Sequence, residues 1–263
     1  MMNTITAALA LMLFGTAQAA AEVRIGLATE ITGKTSWLGE QDQRGFELAV
    51  VDLNDAGGVL SQTLEVVIAE DPCDAEQAVA AARKLIAHSV VAVVGHGCSG
   101  AAIAASSVYE EAGVVMISPT AINPKLTDQG FRHVFRMVAR DTLQAAMAGE
   151  YLAEESADGR IAIFHDGSAY GQGLAEETKR QLNARAVQEV LFEQTTPGQT
   201  DYTTDLARLE TADVDVLFYG GYEEEAALLI RQARSAGYDM QMIGSDALVT
   251  AFSGSWPGRR RWA

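Results

Sequence analysis

The chain has 263 residues, 48% of them hydrophobic and 21% charged, with a formal net charge of −16. This length and balance describe a folded protein of two modest domains rather than a disordered or low-complexity chain. So acidic a molecule repels phosphate backbones and offers no basic stripe to follow them, which argues against nucleic acid as a partner.

In chain order, Met1 to Ala19 carry no charged side chain, run apolar from Ala7 to Phe14 and end in Ala17-Gln18-Ala19, the small-residue pattern of a secretory cleavage site. The apolar run is too short to span a bilayer. Residues 1–19 are therefore expected to be a signal peptide, although Met1-Met2-Asn3-Thr4 lacks the usual Lys or Arg, and the mature chain is expected to begin near Ala20 in the periplasm. In an oxidising compartment the even count of Cys73 and Cys98 favours a bridge, with a pair of buried thiols as the alternative.

From Val23 onward, short β-branched runs alternate with longer amphipathic stretches, the pattern of parallel sheets with crossover helices. Strands are expected over Val23–Ala28, Leu64–Ala69, Val90–Val94 and Val114–Ile117, with helices over Leu38–Asp55, Ala75–His88 (N-cap Asp74) and Ala101–Glu111. After Val134-Phe135-Arg136 a second cycle begins. A helix from Asp141 to Glu155 leads into strands Ile161–Phe164, Val187–Phe192, Val214–Tyr219 and Met240–Ile243, with helices over Gly173–Ala184, Tyr202–Thr211 and Glu223–Ala236 between them. Two βα blocks of similar size, 22–136 and 137–250, imply two doubly wound α/β lobes. The join at Arg136 to Arg140 lacks a Pro/Gly/Ser-rich linker, which suggests extended hinge segments and a cleft at the carboxyl ends of the strands.

Gly95-His96-Gly97-Cys98-Ser99-Gly100 satisfies G-x-G-x-x-G, but it follows the third strand of its block, and the next strand ends in Met116-Ile117-Ser118-Pro119 without the acid that a dinucleotide requires. What survives is an anion nest: free N–H groups at a helix N-terminus beside the Ser99 hydroxyl. Cys98 with His96 lacks a third orienting group, and a bridged cysteine attacks nothing. His88, His96, His133 and His165 have no metal-ligand spacing. No catalytic residue, cofactor or metal is assigned.

Asp71-Pro72-Cys73-Asp74-Ala75-Glu76-Gln77-Ala78, Gly95 to Ser99, Met116 to Pro119 with Asn123-Pro124, Tyr170-Gly171-Gln172-Gly173, Phe218-Tyr219-Gly220-Gly221-Tyr222 and Arg231-Gln232-Ala233-Arg234 together resemble, in order, the leucine/isoleucine/valine-binding proteins of bacterial ABC transporters. The resemblance covers about Glu22 to Val249. It implies the type I periplasmic binding fold, with two Rossmann-like lobes closing on a branched-chain or similar aliphatic amino acid for delivery to a membrane permease, and a monomer without catalysis. It also implies that Cys73 and Cys98 form the family's disulfide.

By position, the resemblance assigns the ligand carboxylate to Ser99 and its neighbouring N–H groups. The ammonium falls to the segment Thr120-Ala121-Ile122, through the Thr120 carbonyl, and to Asp246, while Tyr170 and Tyr222 close over the ligand. Trp37 lines the side-chain pocket or packs in the core. Ile122 stands where the family has a Thr, and Asp246 where a Glu is common, so the amine geometry is expected to differ. The same fold could instead hold an amide, a urea or an aromatic acid. A nucleotide-dependent or hydrolytic enzyme is the reading from another class. After Val249 the composition breaks: residues 251–263 hold two of the three Trp and Arg259-Arg260-Arg261, and read as an aberrant basic tail on a chain whose fold is incomplete at the C-terminus. Such a chain is expected to be unstable alone and to bind poorly.

Overall fold

β-Branched runs can be buried on both sheet faces only if helices cross over between parallel strands. That arrangement is found in the computed structural model, which describes residues 22–156 and 159–249. The expected signal peptide and the basic tail lie outside the described residues.

Val23–Thr29 (β1), Leu64–Glu70 (β2), Ala92–Gly95 (β3), Val115–Ser118 (β4) and Val134–Arg136 (β5) form a wholly parallel sheet in the order β2-β1-β3-β4-β5. Its helices are Ser36–Asp55 (α1), Ala75–Ala87 (α2), Ser99–Ala112 (α3) and the single turn Lys125–Asp128 (α4). Asp74 caps α2, accepting the Gln77 N–H at 2.8 Å. Ala78, Ala81 and Ala82 of α2 share a buried cluster with Ala101, Ala102 and Ala105 of α3, where small side chains let the two helices approach. Leu85, Val93, Tyr109 and Met116 fill the space below them. Each large apolar side chain buried there contributes about 1.5–3 kcal/mol. On the opposite face, Phe46 and Val50 of α1 cover Leu27 and Leu64.

The second unit contains Asp141–Glu155 (α5), Ile161–His165 (β6), Ala169–Ala184 (α6), Leu191–Gln194 (β7), Thr203–Thr211 (α7), Val216–Gly220 (β8), Glu223–Ser235 (α8) and Gln241–Gly244 (β9), followed by a 3-10 turn at Asp246–Leu248. Its strands are also all parallel, in the order β7-β6-β8-β9, which repeats the arrangement of the first sheet. Leu152, Leu174 and Leu182 cover one face, and Tyr202, Leu209 and Leu229 the other.

Several boundaries move from their expected positions. β3 starts two residues late because Val90 is a buried residue of the preceding turn. β7 occupies Leu191–Gln194 rather than Val187–Phe192: the pairing with β6 starts where Val190 N–H meets Ile161 O at 2.7 Å, and Val187 packs against the core from a loop. α6 begins at Ala169, capped by Ser168, four residues before Gly173. β5 and α4 are additional elements.

Candidate functional site

Loops at the carboxyl ends of the strands of both sheets meet at one junction between the units, a gap bridged by the Lys34–Glu225 and Asn123–Ala169 contacts. From the first sheet, β3 runs through Gly95-His96-Gly97 into Cys98, the N-cap of α3. Cys98 is joined to Cys73 with Cα atoms 5.3 Å apart, a separation that suits a disulfide and ties the loop after β2 to the start of α3. His96 is fully buried. Its ring is bonded to Asp71 and lies 3.1 Å from the Tyr109 hydroxyl, while its carbonyl accepts the Ser118 hydroxyl at 2.7 Å. These contacts fix the loop from below and leave the α3 N-terminus facing the gap.

Ser99 is the first residue of α3 and is buried, with its Oγ accepting the Asn123 N–H at 3.3 Å. The N–H groups of the first helical turn have no acceptor within the helix, so they are free for an anion. Thr120 donates its hydroxyl to Gly97 O at 3.2 Å. Ala121 and Ile122 are buried beside it, and Ile122 joins the core of the second unit together with Tyr170, Leu174 and Phe218.

From the second sheet, Tyr170 in the first turn of α6 is buried and donates to Asp246 Oδ1 at 2.5 Å. With its amide nitrogen turned to the carboxylate, Gln144 also donates to Asp246 Oδ1, at 3.1 Å. Asp246 itself is exposed, at the start of the 3-10 turn. Tyr222 caps α8 with its ring 5.2 Å from that of Tyr170, and it packs against the cores of both units. Burial, and then the neighbouring acids, raise both phenols above their ordinary range.

Asn123 Nδ2 donates to Ala169 O at 2.7 Å, and a methyl group built on Gly100 would lie 3.7 Å from the Ala169 side chain, so the N-termini of α3 and α6 face each other across the gap. Lys34 reaches Glu225 at 2.7 Å and Glu224 at 3.4 Å. Beside them, burial raises the Glu223 carboxyl, countered in part by its own backbone N–H. Trp37 is only half-buried, its indole N–H has no hydrogen-bond partner among the described residues, and it lies near Glu223 of the opposite unit, so it is a gap residue rather than one of the central core.

Two residues near the gap escaped sequence reasoning. Asn123 was visible only as half of an Asn-Pro pair. Glu30, just beyond β1, is fully buried; its Oε1 accepts the Cys98 N–H at 2.9 Å, and its Oε2 accepts the Thr29 hydroxyl at 3.2 Å. Burial first, and the Asp71 charge second, push the Glu30 carboxyl up to about 7. A glutamate at a strand's carboxyl end was the available signal. Glu30 lies with Cys73 and Cys98 in a cluster of metal-ligand type, but the sulfurs are bonded to each other and offer no thiolate.

Residues 22–253 match the family model described as periplasmic binding protein. The chain is 40% identical over 230 residues to Leu/Ile/Val-binding protein homolog 1 of Brucella abortus, covering 88% of this chain and 62% of that protein. It is 36% identical over 258 residues to a leucine-, isoleucine-, valine-, threonine- and alanine-binding protein of Pseudomonas aeruginosa, covering 96% of this chain and 69% of that one. Among solved structures, the branched-chain amino acid transporter substrate-binding protein LivJ of Streptococcus pneumoniae, in complex with isoleucine, superposes with a TM-score of 0.77 at 30% identity, covering 86% of this chain and 65% of that one.

Proposed function

The chain belongs to the periplasmic binding protein family, and on that premise we propose that it captures a branched-chain or similar aliphatic amino acid between its two units for an ABC importer. The N-terminal turn of α3, with the Ser99 hydroxyl, receives the ligand carboxylate. The Thr120 carbonyl and Asp246 receive the ammonium, with Ala121 and Ile122 against the ligand, and Tyr170 and Tyr222 close from the second unit. Capture of this kind needs an extracytoplasmic chain and a membrane permease, and it involves no chemical step. The relatives are solute-binding proteins rather than enzymes, which supports the same reading.

One observation carries it. The free N–H groups of α3 and the Tyr170–Asp246 pair come from different sheets and meet at one gap, sealed by the Asn123–Ala169 hydrogen bond. An α-amino acid, with carboxylate and ammonium on one carbon, offers an opposite charge to each of these partners. The test is calorimetry of the purified chain against leucine, isoleucine, valine, acetamide, urea and benzoate, with native mass spectrometry of any ligand that co-purifies. The expected result is weak but measurable binding of at least one aliphatic amino acid. Binding of an amide or of benzoate while every amino acid fails would overturn it.

A further inference from the structure

We infer that Glu30 is a specificity-determining anion of the cleft, favouring ligands that carry an ammonium group and disfavouring carboxylic acids that lack one. This inference rests on the binding function proposed above and names a residue which that reading does not use.

Glu30 sits at the same helix terminus that is proposed to take the ligand carboxylate. Its Oε1 accepts the N–H of Cys98, one residue before Ser99. A side chain at Gly97 would place its Cβ 2.7 Å from Glu30 Oε1 and 3.1 Å from Thr120 Oγ1, so the absence of that side chain is what gives the carboxylate room beside the Thr120 segment. Tyr222, reaching in from the second unit, has its phenol raised by burial first and then by the charges of Asp166, Glu30, Glu223 and Asp246, so carboxylates of both units act on one tyrosine of the gap.

The ion pairs among the described residues leave Glu30 without a cation. The groups that face it are Asp71 after β2, Asp42 on α1, the Cys98 N–H before α3, Thr120 after β4 and Tyr222 on α8, and His96 nearby is engaged with Asp71. A buried carboxylate held by neutral donors, with no cation beside it, is under-compensated. A ligand ammonium supplies the missing positive charge. A ligand with only a carboxylate adds a second anion to the same helix terminus and is penalised.

Leucine and 4-methylpentanoate, which is leucine without its amine, separate these cases. Their affinities are measured at pH 8 on the full chain, as wild type and as Glu30→Gln, a variant that keeps the acceptor for the Cys98 N–H. Leucine is expected to weaken about tenfold in Glu30→Gln, while 4-methylpentanoate holds its affinity or gains. Parallel loss for both ligands would mean that Glu30 only holds the loop, and no change in either would mean that it does not face the ligand; each result overturns the inference. Failure of wild type to bind leucine sinks the binding function itself, and this inference with it. Should Glu30→Gln not fold, the wild-type preference for leucine over 4-methylpentanoate is compared at pH 8 and pH 5.5. It is expected to shrink at the lower pH as the carboxyl takes up its proton, and a constant preference overturns the inference.

Discussion

In the proposed site Asp246 takes the ligand ammonium and Ser99 its carboxylate, and the surroundings of the two residues make unequal predictions. The Asp246 carboxylate is oriented by Tyr170 and Gln144, and Asp246→Asn removes its charge while leaving the shape. A hydrogen bond to a charged group contributes about 1.5–3 kcal/mol, so leucine affinity should fall by about tenfold or more. Ser99→Ala should cost less, because the N–H groups of the helix terminus remain. Equal calorimetric affinity of wild type and Asp246→Asn would remove that residue from the site. Glu30 gives a pH prediction. Its carboxyl titrates near 7 in the folded chain and near 4.3 when unfolded, so between these values the folded state binds more protons and stability falls as pH rises. At about 1.4 kcal/mol for each pH unit crossed, the loss is on the order of 3 kcal/mol. Glu30→Gln should flatten this decline in denaturant titrations from pH 4.5 to 7.5, and an unchanged slope would mean that Glu30 is not the group responsible. Ser99, Tyr170, Tyr222 and Asp246 could be singled out in the sequence because each sits within or near an ordered motif. Glu30 offered only the weak signal of an acid closing a strand, which reads as a solvated turn until the Cys98 loop folds over it.

Among the elements, most strands and helices were legible because hydrophobic period and β-branched runs are local signals. The start of α6 was not. The sequence places its start at Gly173, yet Ala169 to Gln172, with Gly171 among them, already belong to the first turn of α6. The reason is tertiary: a Cβ on Gly171 would lie 2.4 Å from Gly220 O and 2.3 Å from Asp166 Oδ1, so a side chain there would push α6 off the end of β8. Gly171→Ala should therefore destabilise, although alanine is the better helix former by about 1 kcal/mol. Overpacking typically costs about 1–3 kcal/mol, and the displaced helix carries Tyr170 with it. A lower thermal midpoint together with weaker leucine binding is expected; an equal or higher midpoint would show that the backbone relaxes around the methyl group. β7 failed for a related reason, since Val187 and Val190 look like strand residues and only the register against Ile161 decides which of them pair.

For the molecule as a whole, repeated βα alternation made two α/β units legible, but nothing local in the sequence says how they face each other. That geometry depends on pairs such as Lys34 with Glu224 and Glu225, which are about 190 positions apart and join the β1–α1 loop to the first turn of α8. The pair lies at the rim of the gap, with the Lys34 side chain 53% exposed and that of Glu225 only 11% exposed. A half-exposed ion pair is screened and contributes roughly 0.5–1 kcal/mol. It forms only when the units are together, so its energy belongs to the closed arrangement and should appear in ligand release rather than in capture. Lys34→Gln is expected to speed leucine dissociation about two- to fivefold in stopped-flow measurements at low salt, with the association rate nearly unchanged. The difference should shrink toward 1 M salt, where the Debye length is only about 3 Å. The double exchange Lys34→Glu with Glu225→Lys should restore slow release, because it rebuilds the contact with the charges reversed. If Lys34→Gln releases leucine at the wild-type rate at low salt, the contact does not hold the units together, and closure rests on Tyr222 and the Asn123–Ala169 hydrogen bond instead.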